Sequence, residues 1–199
     1  MQADKTSFLA TYGAYVERLY RTLNALVVTA KDRTLDQDEG FRRWCAMCYD
    51  IRLTGKTIYF VGNGASAAMA SHMAADFSKN CACRAMAFND IALMTAISND
   101  INYTECFSVP LMRFANSGDM LVTVSSSGNS PNVISAINAA KNLDLVIVTV
   151  SGMSEENLSR KLGDLNFWIP ADSYGQAEAG HQALLHCWLD MYVAAYPKE

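Results

Sequence analysis

His72, His181 and His186 are the chain's three imidazoles, and each has a carboxylate at helical spacing. Asp76 follows His72 by four residues, which places both on one helix face. Glu178 precedes His181 by three residues and His186 by eight. A single histidine in such a setting is ordinarily structural, but three beside carboxylates favour a functional grouping. His72, Asp76, Glu178 and His186 carry the donor types of a zinc site, and equally the partners of an acid–base pair. An ideal helix separates Glu178 from His186 by about 12 Å of rise. The two meet one metal only if the helix starts late, or if one of them comes from another subunit.

A second stretch, VTVSSSGNSPNVI from Val122 to Ile134, turns from strand-like alternation to helix through a run of small polar residues. Ser125, Ser126, Ser127 and Ser130 crowd the start of that helix, Gly128 permits a tight turn, and Pro131 suits a first helical position. Free backbone N–H groups and the helix dipole favour an anion there. Serine hydroxyls add neutral donors, so a monophosphate on a small molecule is the expected ligand. Capping explains one serine, not four. The chain has no G-x-x-x-x-G-K-[ST], which argues against ATP or GTP. A third stretch, Gly62 to Ala67, reads G-x-G-x-x-A, with Asp90 after the following strand. It is a weak dinucleotide fingerprint, since glycines after a first strand are common in such folds.

These loops need elements to hold them. The first 54 residues read as two helices. Leu9, Tyr12, Val16, Leu19, Leu23 and Leu26 form an apolar stripe on the first, and a polar joint from Lys31 to Gly40 precedes the second. Strand-like runs at 57–61, 84–88, 120–124, 145–150 and 165–169 then alternate with helical stretches at 66–79, 91–98, 105–115, 130–142, 154–162 and 176–195. Ser154 is the expected cap of the 154–162 helix. The pattern predicts one α/β domain with a doubly wound, five-stranded parallel sheet, divided into a helical pair (1–54) and an α/β core (55–199). Ligands in such sheets bind beyond the carboxyl ends of the strands.

The 199 residues suffice for one core, and a formal charge of −4 gives no electrostatic footprint for nucleic acid. No apolar run is long enough to span a membrane, and no signal-peptide core opens the chain, so a cytoplasmic protein is expected. Cys45 and Cys48 form a WCxxC after Trp44, but inside a helical stretch. They read as buried, inert thiols rather than a redox pair or, with Cys81 and Cys83, a zinc site.

Taken together, GNGASAAMASHMAAD, LMTAISND, SSSGNSPNVISAI and EAGHQALLH resemble, in order and spacing, the sugar isomerase (SIS) domain family, specifically its phosphoheptose isomerases. The resemblance implies a homotetramer with active sites at subunit interfaces, a divalent metal such as zinc, and conversion of sedoheptulose 7-phosphate to a heptose phosphate for surface polysaccharide. It implies substrate contacts at Asn63, Gly64, Ala65, Ser66, Asn99, Asp100, Ser125, Ser126, Ser127 and Ser130. It places metal ligands at His72, Asp76, Glu178 and His186, and catalytic groups at Asp76 and His186. The chain has Asp76 where the family usually has Glu, Glu178 where it has Gln, and Asn80 where it has Arg, with Lys79 and Arg84 as nearby cations. Family relatives that lack the acid–base residues serve as adaptors of a replication initiator, and others sense phosphosugars. Retention of Asp76 and His186 favours the enzyme.

Overall fold

The computed structural model describes residues 11–31 and 33–198. Its elements are α1 (Tyr12–Asn24), β1 (Val27–Ala30), β2 (Arg33–Leu35), α2 (Gln37–Leu53), β3 (Thr57–Gly62), α3 (Ala65–Asn80), β4 (Arg84–Ala87), α4 (Ile91–Asp100), α5 (Ser108–Phe114), β5 (Met120–Ser125), α6 (Pro131–Asn142), β6 (Val146–Gly152), α7 (Leu158–Leu162), β7 (Leu165–Ile169) and α8 (Tyr174–Ala195). They build one sheet in the order β2-β1-β7-β6-β5-β3-β4. The five strands from β7 to β4 pair in parallel, as expected. The stripe residue Leu9 lies outside the described residues.

The sheet has seven strands rather than five, because a hairpin joins it at the β7 side. β1 pairs antiparallel with β7 and with β2. The expected polar joint is therefore partly sheet. Val27, Val28 and Thr29 are β-branched, Val28 and Ala30 point inward, and Lys31 takes a left-handed φ of 52° at the turn. Leu26, read as the end of the helical stripe, lies beyond α1 and is buried beside the hairpin.

Two helical layers cover the parallel strands, whose side chains alternate between them. Ile58 and Phe60 of β3 face a core with Trp44, Phe77 and Trp188, in which the Trp44 and Trp188 rings stack at 3.8 Å. Tyr59 and Val61 face Phe107, Leu111, Val133 and Ile137. Cys45, Cys48, Cys81 and Cys83 are buried in the first layer, and burial pushes the Cys45 thiol up to about 11 and Cys81 up to about 12. Such thiols stay protonated and unreactive.

Two helical readings change at their ends. The stretch expected at 105–115 is a 3-10 turn, Tyr103–Glu105, followed by α5. The helix expected from Ser154 begins at Leu158, because the Asn157 side chain accepts from the Arg160 N–H and caps it instead. From β3 the chain passes to β4 on one side and then to β5 on the other, so the change in strand order falls between β3 and β5. The glycine and serine loops leave those two strands side by side.

Candidate active site

The serine loop is braced against the start of α7. Gly128 has a φ of 63° and packs so closely on Asn157 that a Cβ there would overlap its amide. The Gly128 carbonyl accepts from the Ser159 N–H at 2.9 Å, and Asn129 Oδ1 accepts from the Leu158 N–H at 2.9 Å. Ser125 Oγ accepts from the Gly128 N–H at 3.2 Å, and Ser127 Oγ from that of Asn129 at 3.2 Å. Ser130 occupies the cap position of α6, yet its side chain makes no capping bond. No serine of the loop caps this 12-residue helix, although the Val133 N–H in its first turn already donates to Asn132 Oδ1 at 3.0 Å.

The glycine loop is a tight strand-to-helix turn. A Cβ on Gly62 would come within 2.8 Å of Ser66, and Gly64 has a φ of 56° at the cap of α3, again without a side-chain capping bond. Ser66 is buried, while Gly64 and Ala65 are exposed at the loop. Asn63 pairs its amide with that of Asn132 at the start of α6, at 2.9 and 2.8 Å. Asn99 and Asp100 lie exposed at the end of α4, where Asn99 donates to Asp100 at 2.8 Å. Asp90, the candidate ribose acid, caps α4 by accepting from the Leu93 N–H. That occupation weakens the dinucleotide reading.

On the α3 and α8 layer, His72, Asp76 and His186 bring one ligand atom each within 4.8 Å of one another. Helix spacing supplies His72 and Asp76, with Nε2 and Oδ2 3.2 Å apart, and the packing of α8 brings the His186 ring to 5.3 Å from that of His72. Asn80 donates to the other Asp76 oxygen at 3.2 Å. Two imidazoles and a carboxylate at this spacing could hold a metal ion. Glu178, two turns earlier on α8, is not part of this cluster.

His181 is a different residue from the one its spacing suggests. It is wholly buried, and neither ring nitrogen has a well-formed hydrogen bond, so the expected pairing with Glu178 is absent. Its neighbour at the end of β6 is Gly152, where a Cβ would lie 3.5 Å from His181 Nε2. Burial holds its imidazole down at about 4, with the Ser151 backbone pulling the other way. It is neutral at pH 7. The buried Gln176 amide is likewise unpartnered. Asn132 and Tyr103 also enter the site unforeseen, since a contact between loops leaves no periodic mark in sequence.

A family model described as SIS domain matches residues 15–152. The chain belongs to the SIS domain family. Among relatives, the phosphoheptose isomerase of Shewanella denitrificans is 30% identical over 183 residues, covering 88% of this chain and 93% of its own. The solved phosphoheptose isomerase GmhA from Neisseria gonorrhoeae superposes with a TM-score of 0.81 at 25% identity, covering 96% of this chain and all of that one. A phosphoheptose isomerase from Francisella tularensis shares the fold, with a TM-score of 0.79 at 20% identity over 92% of this chain and 96% of its own. In this SIS chain the model match ends at Gly152, so His186, on α8, lies outside it.

Proposed function

We propose that the protein is an aldose–ketose isomerase of phosphorylated sugars that converts sedoheptulose 7-phosphate to D-glycero-D-manno-heptose 7-phosphate through an enediol. The observation that carries this reading is the presence of a helix start that Ser130 leaves without a side-chain cap, ringed by Ser125, Ser126, Ser127 and Ser130, together with the His72–Asp76–His186 cluster. Phosphate in the serine loop is a handle whose binding energy aligns the distant reacting carbons. Asn63, Gly64, Ala65, Ser66, Asn99 and Asp100 line the sugar path in this reading.

The reaction removes a proton from C1, returns one to C2, and moves another from O1 to O2. Asp76 and His186 suit these tasks: one takes the carbon-bound proton and the other carries a proton between the oxygens. Asn80, bonded to the Asp76 carboxylate, limits its rotation. Zinc, when bound by His72, Asp76 and His186, supplies Lewis-acid polarisation of the carbonyl. Glu178 joins them only across a subunit interface. Tyr12, Val16 and Tyr20, spaced four apart on α1, are exposed in the single chain, which supports a homotetramer. Among the described residues no helix is long and apolar enough to cross a membrane. A cytoplasmic role supplying heptose for lipopolysaccharide or capsule fits this activity.

The test is to incubate the purified protein with sedoheptulose 7-phosphate and follow formation of the aldose. Turnover that is lost in both Asp76→Ala and His186→Ala supports the proposal. A protein that binds the sugar phosphate without converting it is a sensor or adaptor, and the enzymatic reading fails.

A further inference from the structure

The Asn63–Asn132 pair lies where β3 and β5 diverge, and its polarity is fixed from one end. The Val133 N–H donates to Asn132 Oδ1 at 3.0 Å, and a backbone N–H cannot exchange roles as a side-chain amide can. Asn132 Oδ1 therefore also takes the proton of Asn63 Nδ2, at 2.9 Å. The Asn132 Nδ2 group faces the other way, donating to Asn63 Oδ1 at 2.8 Å and to Cys106 Sγ at 3.3 Å. Asn63 Oδ1 is thus an acceptor, and the Tyr103 hydroxyl, 2.9 Å away, must be its donor.

That bond uses the one proton a phenol has. What Tyr103 Oη offers a ligand is only its lone pairs. The tyrosine is 53% exposed, so a ligand can reach its side chain. Its turn is held firmly. Glu105 accepts from Ser108 and from Ser135 Oγ, the latter at 3.0 Å, and Cys106 is fully buried beside Asn132.

We propose that Tyr103 is a specificity-determining residue that accepts a hydrogen bond from a hydroxyl of the sugar chain. This inference rests on the phosphosugar reading and sharpens it. An acceptor repels phosphate and carboxylate oxygens and welcomes a hydroxyl. The ligand's anionic end is thereby directed to the serine loop, and its polyol stretch to Tyr103. A sugar phosphate with a hydroxyl at the facing carbon is preferred over one that is deoxygenated or oxidised to an acid there.

The experiment compares the full-length protein with Tyr103→Phe on sedoheptulose 7-phosphate and a set of its monodeoxy analogues, with inorganic phosphate as a competing ligand. Loss of one neutral hydrogen bond corresponds to roughly a three- to tenfold change. The expected result is a rise of that size in KM for Tyr103→Phe, and no change in phosphate affinity. One deoxy analogue should show the same penalty with the unaltered protein and no further penalty with Tyr103→Phe, the signature of a direct contact. Equal KM values for both proteins, or penalties that simply add for every analogue, overturn the role of Tyr103 and leave the phosphosugar reading intact. Failure of the unaltered protein to bind any of these sugar phosphates overturns that reading, and this inference with it.

Discussion

Replacing Gly128 with alanine tests whether the serine loop is as tightly built as its packing implies. The residue sits at a φ of 63°, a left-handed conformation that costs an alanine about 1–2 kcal/mol. The new Cβ would also overlap the Asn157 amide and come within 2.8 Å of the Asn157 Cβ, so a rotation of the side-chain tip cannot relieve it. Asn157 holds the Arg160 N–H at 2.9 Å and the Ser154 carbonyl at 2.8 Å. Displacing it forfeits those bonds at about 1 kcal/mol each. The combined effect is about 3–4 kcal/mol, which for a chain of this size lowers Tm by about 6–16 °C. Calorimetry measures the shift directly, and titration with a sugar phosphate should show weakened binding in the same variant. Asn157→Ala in the Gly128→Ala background should recover part of the steric loss and none of the backbone cost, so the two changes should be non-additive. A Gly128→Ala protein that melts within 2 °C of the parent and binds sugar phosphate equally well would refute the reasoning.

Other outcomes follow from the same geometry. Ser125→Ala combined with Ser127→Ala should raise KM for a sugar phosphate far more than it lowers kcat, each lost charge-assisted bond being worth roughly 1.5–3 kcal/mol. His181 stays neutral down to about pH 4 when folded but takes up a proton near 6.5 when unfolded, so stability falls as the pH drops through that window. Urea titrations at pH 7 and pH 4.5 should differ by about 2 kcal/mol more in the parent than in His181→Leu. Elemental analysis should find zinc, with His72→Ala and His186→Ala each losing it; retention of zinc by both variants would move the metal elsewhere. Asp76→Glu, which restores a longer acid, should shift preference among sugar phosphates in a substrate panel, whereas an unchanged panel would separate Asp76 from the chemistry.

The parallel strands were legible because a strand buried on both faces must be a short apolar run, as TIYFV and VIVTV are. β1 and β2 were not: four and three residues are too few to show a period, and the adjacent apolar stripe absorbed Leu26. Helix spacing was enough to pair His72 with Asp76, yet the same logic failed for Glu178 and His181. Spacing says which residues share a face, not which face is buried, and His181 turns inward toward Gly152. Asn157 prevailed over Ser154 as a cap because it also serves as packing for Gly128. That double duty involves residues 29 positions apart in a pair of loops, and no local pattern announces it.

The hairpin has a consequence for how the chain is made. Val28 pairs in the sheet with Phe167, so β1 waits for a strand synthesised about 140 residues later. Until β7 emerges from the ribosome, β1 and β2 form only a two-stranded ribbon of four and three residues, too small to hold together alone. The β6 edge is likewise open until β7 arrives, since β7 is the strand that covers it. Nascent chains stalled before residue 165 therefore expose both an unpaired ribbon and a bare sheet edge, the surfaces on which aggregation starts and chaperones act. Completion of β7 joins the hairpin and the parallel strands into one sheet in a single step.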